Sequence, residues 1–290
     1  MQPNELSDRR TGVLGRRYPA LAVIQSFRFP PIAAGKLGAT RHAGDRLLAR
    51  AGELVMATFV LVTGAWHGSW CWKRVRAALI ADGHAVFTPT LTGLCERSHL
   101  LSRDVDLQTH IDDVANLIRW EELTDIVLVG HSYGGCVISG VADRMGEKIA
   151  SLVYLDAFVL ENGQSLHDTL PADQRQGQLD ATAAQGDGWR VPPIPAEVFN
   201  VNAADRAWVD SQCTDQPLAC FQQKLRLDHG APAVGSIHYI YASDWEGTPF
   251  AGFYESAKAR GWSTREIACG HDVMLDRPEE LTAALLAAAA

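Results

Sequence analysis

The stretch Asp125-Ile126-Val127-Leu128-Val129-Gly130-His131-Ser132-Tyr133-Gly134-Gly135 decides how the rest of the chain is read. Its first half is a short β-branched, apolar run of the kind that forms a buried strand. Its second half is a G-x-S-x-G turn, and a helical run over residues 137–145 follows at once. A strand that passes directly into a helix around a serine forces that serine into a strained backbone conformation, and side chains at Gly130 and Gly134 would clash there. The turn lifts the Ser132 hydroxyl above the sheet edge, beside a helix N-terminus that favours developing negative charge. Ser132 is therefore the candidate nucleophile.

The same rhythm extends in both directions. Residues 58–63 (TFVLVT), 84–89 (HAVFTP), 149–158 (IASLVYLDAF), 236–242 (SIHYIYA) and 264–268 read as further strands. Helical periodicity appears over 72–82, 107–120, 250–261 and 278–289. In 107–120 the apolar face is Ile111, Val114, Leu117 and Ile118. Strands alternating with helices at this pitch predict an α/β fold, a mostly parallel sheet covered on both faces. Residues 161–227 break the rhythm, being rich in Asp, Gln, Pro and Trp. They predict a small, mainly helical cap inserted after the fourth strand, over the carboxyl edge where open α/β sheets bind ligands.

The 290 residues, 47% of them hydrophobic, suffice for one large core. The net charge of −8 argues against a nucleic-acid partner, which needs clustered Lys and Arg. Residues 1–55 carry nine basic side chains against four acidic ones, a net of +5 that leaves −13 for the remainder. That asymmetry, with Met56 just ahead of the first strand, predicts a dispensable N-terminal extension over 1–55, a targeting segment or a folded element being the alternatives, and a catalytic domain over 56–290. The six cysteines show neither C-x-x-C spacing nor a zinc-type cluster, so reduced thiols, no metal and a cytoplasmic location are expected. No apolar run is long enough for a membrane span.

A serine hydroxyl needs a base, and in this arrangement the base arrives last in chain order. His271, between the sixth strand and the closing helix, fills that place. Its orienting carboxylate has two candidates. Asp244 follows the fifth strand and is preferred; Asp156 ends the fourth and is the alternative, with Glu246 behind both. Two oxyanion donors are expected, the backbone amides of Tyr133 and of Ala65 in the loop after the first strand. In that loop His67 and Trp70 are expected to hold its shape, while Arg97 and His99 anchor the loop after the second strand.

With these residues in place, the chain from Met56 onward resembles the plant methylesterase and hydroxynitrile lyase family of the α/β-hydrolases, and more so its bacterial esterase relatives. The resemblance rests on FVLVTGAWHGSWCW, PTLTGLCERSHLL, VLVGHSYGG, YLDAFVLENGQS and GHDV. It implies the α/β-hydrolase fold, Ser132 and His271 as triad members, Ala65 and Tyr133 as oxyanion donors, and no cofactor. The family's usual His-Gly after the first strand is Thr63-Gly64 here. Lyase members carry a hydroxylated residue at the position of Gly64 and a lysine at that of Asp272. Asp272 has the wrong charge to stabilise leaving cyanide, so the resemblance implies hydrolysis.

The expected activity is cleavage of a small-molecule carboxylic ester through an acyl-enzyme. The alternatives are carbamate or amide hydrolysis on an aromatic compound, a hydroxynitrile lyase, and a non-catalytic ligand-binding protein of the same fold. Gly64, Trp66, Trp189, Phe199 and Trp208 are candidate pocket residues, with Phe221 beside them. The oligomeric state is open, a homodimer being one option.

Overall fold

The computed structural model describes residues 56–290 apart from 231 and 247; the expected extension over 1–55 lies outside the described residues. The first apolar run forms β1 (Thr58–Val62), followed by β2 (Ala85–Phe87), β3 (Ile126–His131), β4 (Ile149–Leu155), β5 (Ser236–Ala242) and β6 (Ser263–Ile267). They build one sheet in the order β2-β1-β3-β4-β5-β6, with every pairing parallel. All six residues of β3 are buried, as the centre of a sheet covered on both faces requires. The helices α1 (Lys73–Ala81), α2 (Leu107–Trp120), α3 (Gly134–Met145), α4 (Phe250–Ala259) and α5 (Pro278–Ala288) connect and flank it. Asp106 starts α2 with a capping box closed by Thr109. Pro278 opens α5 at a position where its missing N–H costs nothing.

Two boundaries differ from the sequence expectation. The helix after the elbow begins at Gly134 rather than at 137. Three residues of low helix propensity or turn character precede Val137, but the elbow geometry starts the helix immediately. The fourth strand ends at Leu155, not 158, because Asp156 takes φ 41° and turns the chain out of the sheet.

The insertion between β4 and β5 is mainly helical, as expected. It holds short helices Leu166–Thr169, Arg206–Gln212 and Ala219–Gln222 and one long one, Ala172–Gln185. It also contains an antiparallel pairing of Arg190–Val191 with Gln216–Pro217 that no alternating pattern announced. Only Thr182 of Ala172–Gln185 is buried, which explains the weak periodicity of that helix. Polar ties fasten the insertion. Arg74 on α1 grips Asp205 through both terminal nitrogens, at 2.7 and 2.8 Å, and donates to the Leu275 carbonyl. Asp143 on α3 accepts from the amides of Asp228 and His229.

Backbones approach closely at the elbow. A Cβ at Gly134 would lie 2.7 Å from the Thr63 carbonyl oxygen, and one at Gly135 would overlap that of Phe158. Alanine ordinarily favours a helix over glycine by about 1 kcal/mol. At Gly135 the overlap reverses that sign. Gly135→Ala should destabilise by about 1–3 kcal/mol, the range for overpacking. Urea denaturation checks this, and an unchanged or raised midpoint would contradict it.

Candidate active site

Ser132 follows directly from β3 with φ 54°, a left-handed conformation that a non-glycine residue adopts at a cost. Its amide donates to the Leu155 carbonyl at 3.2 Å, and its own carbonyl accepts from Gly135 at 3.0 Å and Phe158 at 3.2 Å. The hydroxyl has no hydrogen-bond partner among the described residues and opens onto a cavity of about 820 Å³. His271 lines the same cavity. Its backbone is held on two sides: its amide donates to the Phe199 carbonyl at 2.9 Å, and His131 Nε2 donates to its carbonyl at 3.0 Å.

The carboxylate bound to His271 is Asp156, not the preferred Asp244. Nδ1 of His271 donates to Asp156 Oδ2 at 2.6 Å, and the Ala242 amide donates to Oδ1 at 3.2 Å. Asp156 stands at the tip of β4, the strand next to β3, and its positive φ aims the fully buried side chain at the imidazole. Asp244 lies two residues beyond β5 and is exposed. Among the described residues only its backbone is engaged, through Cys269 and Asn200. Glu246 is exposed too, at the cavity wall.

Residues 59–285 match the model of the alpha/beta hydrolase family. The chain belongs to that family. A carbendazim-hydrolysing esterase of Nocardioides sp. (strain SG-4G) is 49% identical to this hydrolase over 240 residues, which span 80% of this chain and 99% of the relative. Methylesterase 2 of Arabidopsis thaliana is 34% identical over 118 residues, spanning 37% of this chain and 41% of its own. Among solved structures, an extracellular alpha/beta-hydrolase from a Paenibacillus species shares the fold with a TM-score of 0.70 at 24% identity, covering 80% of this chain and 98% of that one. It is described as sharing structural and functional homology with tobacco salicylic acid binding protein 2.

In this hydrolase two backbone amides at the cavity have no acceptor among the described residues. Among the described residues neither Ala65 N–H nor Tyr133 N–H donates a hydrogen bond, and both residues line the cavity. Trp66, next in the loop, has φ 64°, with its amide held by Gln216 Oε1 at 3.0 Å and its indole N–H by the Val191 carbonyl at 3.1 Å.

The cavity walls are largely aromatic and aliphatic. Trp66 and Phe199 line it as expected, with Phe221. Trp189, Trp208 and Gly64 do not line it. Trp189 sits beneath the guanidinium groups of Arg103 and Arg190. Trp208 packs edge-on against Trp70 at 5.0 Å. Gly64 is covered by the elbow, where a Cβ would lie 2.9 Å from His131 Nδ1 and 3.0 Å from Ser132 Cβ. Sequence reading missed Phe250, Trp245 and Phe158. The first two enclose His271, Phe250 stacked at 5.0 Å and Trp245 at 4.9 Å. Three glutamines at the cavity, Gln174, Gln178 and Gln185, were also missed; all lie on one weakly periodic helix.

Asp272 does not face the cavity. It is fully buried and paired with His67, so its charge acts elsewhere than on a bound ligand. Among the described residues lining the cavity there is no Lys or Arg, and that absence replaces Asp272 as the observation against cyanide stabilisation.

Burial among aromatic rings lowers His271 to about 4, keeping the ring neutral, and so able to accept a proton, at ordinary pH. Burial pushes the Asp156 carboxyl up, while the Ala242 amide pulls it down. Comparison of Asp156→Asn with Asp244→Asn separates the two acids. The first should lower kcat by about 10⁴, as loss of the orienting carboxylate does elsewhere. The second should leave kcat within about threefold of wild type. Equal losses would refute the assignment drawn from the 2.6 Å contact.

Proposed function

We propose that this hydrolase cleaves carboxylic esters through an acyl-enzyme on Ser132, with His271 as base and Asp156 as its orienting acid. The chain is a serine-type ester hydrolase, in keeping with an esterase 49% identical and matched over 99% of its length. The observation that carries the residue assignment is the single cavity onto which Ser132, His271 and the free amides of Ala65 and Tyr133 all open. His271 Nε2, left open once Nδ1 is engaged by Asp156, takes the serine proton as Oγ attacks the carbonyl carbon. The two amides stabilise the tetrahedral oxyanion. His271 then protonates the departing alkoxide, and water attacks the acyl-enzyme by the same route in reverse.

Carbamate esters of aromatic amines are the substrate class we favour within this chemistry. The relative from Nocardioides is named for carbendazim, the methyl carbamate of a fused aromatic heterocycle. In this chain Trp66, Phe158 and Phe221 offer flat apolar walls, the Gln174 amide offers a donor and an acceptor to ring nitrogens, and Gln178, whose Oε1 is engaged by His167, offers its NH2 donors. Attack on such a carbonyl expels the alcohol and leaves a carbamoyl-serine, which water releases as a carbamic acid that loses carbon dioxide.

The proposed catalytic unit is 56–290 with 161–227 as its cap, since the family match begins at 59. A cytoplasmic setting is proposed from six cysteines that are all free thiols. No helix among the described residues is long and apolar enough to cross a membrane.

Ser132→Ala should reduce turnover of both p-nitrophenyl esters and aryl carbamates by at least about 10³. Survival within tenfold of wild type would remove Ser132 from the mechanism. Product analysis showing alcohol and free aryl amine from a methyl arylcarbamate supports the carbamate reading, and ester-only turnover removes it. A chain beginning at Met56 should keep kcat/KM within about twofold of the full-length protein. A larger loss would show that 1–55 contributes to the site.

A further inference from the structure

Behind the Ser132–His271–Asp156 array lies a second buried polar cluster that the mechanism above does not use. It comprises His67, Asp272, His131 and the thiol of Cys213. His67 is 2% exposed and Asp272 is 0% exposed. His67 Nδ1 lies 2.7 Å from the Ala65 carbonyl oxygen, and Nε2 lies 3.3 Å from Asp272 Oδ2. A peptide carbonyl and a carboxylate can only accept. The Cys213 thiol, 3.9 Å from Nε2, lies farther from it than the carboxylate does, so both ring nitrogens donate and His67 is an imidazolium.

His131 is its opposite. Nε2 donates to the His271 carbonyl, leaving Nδ1 bare and without a partner among the described residues. Asp272 Oδ1 lies 3.9 Å from the same Nε2, beyond hydrogen-bond distance, and has no hydrogen-bond partner among the described residues. The cluster thus holds one cation, His67, and one anion, Asp272.

Position gives the pair its meaning. Ala65 presents the free amide at the elbow, and Asp272 immediately follows His271. The pair bridges the loop after β1 and the loop after β6, two segments about two hundred residues apart in sequence. Gln216 holds the next amide, Trp66 N–H, so the Ala65–Trp66 peptide is gripped at both its oxygen and its nitrogen. Trp70 stacks on the His67 ring at 5.0 Å and excludes water from it.

We propose that His67 is a positioning residue, an imidazolium that ties the oxyanion amide of Ala65 to the loop carrying His271 through its ion pair with Asp272. The inference rests on Ala65 as oxyanion donor and His271 as base, as proposed above.

Groups facing His67 come from four segments: Asp272 and His271 after β6, Cys213 in the insertion, Cys95 after β2, and His131 on β3. Burial is the largest influence and opposes the His67 charge, but the Asp272 carboxylate and the Cys213 sulfur together outweigh it and hold the ring well above its ordinary 6.5. Burial likewise opposes the Asp272 charge, and His67 holds that carboxyl below its ordinary 3.8. The His67 contribution to stability is complete below 6.5 and is lost as pH rises through its higher folded value. The Asp272 contribution is complete above 3.8 and is lost as pH falls through its lower folded value. Both act in full between those two ordinary values, and alkaline loss of activity reports deprotonation of His67.

The test is a pH–rate profile of the full chain on p-nitrophenyl acetate, with active sites titrated, for wild type, His67→Gln, Asp272→Asn and Asp272→Glu. Asp272→Asn should lower kcat per titrated site by roughly tenfold to a hundredfold, the scale of a misplaced catalytic group. KM should stay within about twofold, and the alkaline limb should move to lower pH. Asp272→Glu should restore part of kcat and part of the limb. A purely structural role would reduce the titratable fraction while leaving kcat per site and the limb unchanged, and that result overturns the proposal. Should Asp272→Asn not fold, ¹⁵N-histidine NMR of the wild type decides: both His67 ring nitrogens protonated at about pH 8 supports the assignment, and a neutral ring overturns it. An inactive wild type, or an active Ser132→Ala, overturns the ester-hydrolase mechanism and this inference with it. An active wild type with an indifferent Asp272→Asn overturns the His67 role alone.

Discussion

The architecture depends on how little room surrounds Ser132. Thr63, Gly130, Gly134 and Gly135 bring the ends of β1 and β3 and the start of α3 so close that backbone packs on backbone. This crowding sets where every other catalytic part arrives. The β1 loop can pass the elbow only through Gly64, and it then places Ala65 on the cavity that Ser132 lines. Three non-glycine residues just beyond β1, β3 and β4 take positive φ: Trp66, Ser132 and Asp156. Such conformations cost of order 1–3 kcal/mol each and persist only where the surroundings over-determine them. Here the surroundings are specific. Leu155 and Phe158 fix Ser132, the Ile240 carbonyl takes the Asp156 amide at 2.7 Å, and Gln216 takes that of Trp66. Tyr239 braces the turn after Asp156, accepting from the Ala157 amide and donating to its carbonyl.

Two buried histidine–carboxylate pairs sit within one site and are driven to opposite states. His271 is lowered and His67 raised. Burial acts in the same direction on both, so it cannot separate them. The number of acceptors can. His271 gives one nitrogen to Asp156 and has no partner for the other among the described residues, as the proposed role of base requires. His67 meets an acceptor at each nitrogen and has no lone pair to offer. Chemistry and scaffolding are thus divided by a hydrogen-bond count rather than by depth.

Much of this was legible in the sequence, and the failures share a cause. The strand–glycine–serine–helix signal is local, so the elbow at Ser132 and the α/β alternation could be read directly, as could the placement of Ala65 and Tyr133 on the same cavity. The orienting acid could not. Choosing Asp156 over Asp244 requires knowing that β4 lies beside β3, a fact of sheet order rather than of any short stretch. Asp272 was read as facing a ligand because its neighbour His271 does; its partner, His67, is 205 positions away. Trp189 and Trp208 were candidates by composition alone, and the insertion that carries them has no periodicity to tell an inward face from an outward one.

That insertion is more than a cover. Its Phe199 carbonyl receives the His271 amide, and its Gln216 holds the Trp66 amide. A Cβ at Gly270 would overlap the Asn200 carbonyl, so the His271 loop is moulded against it. The same segment supplies the cavity's glutamines and the Phe199 and Phe221 walls. Substrate choice and catalytic geometry are therefore carried by one polypeptide segment. Variation on its cavity-facing side chains can change the acyl group admitted, while its backbone contacts to Trp66 and His271 leave less freedom. A change at Gln178 should act on selectivity, whereas displacement of the chain at Phe199 or Asn200 should act on the chemical step itself.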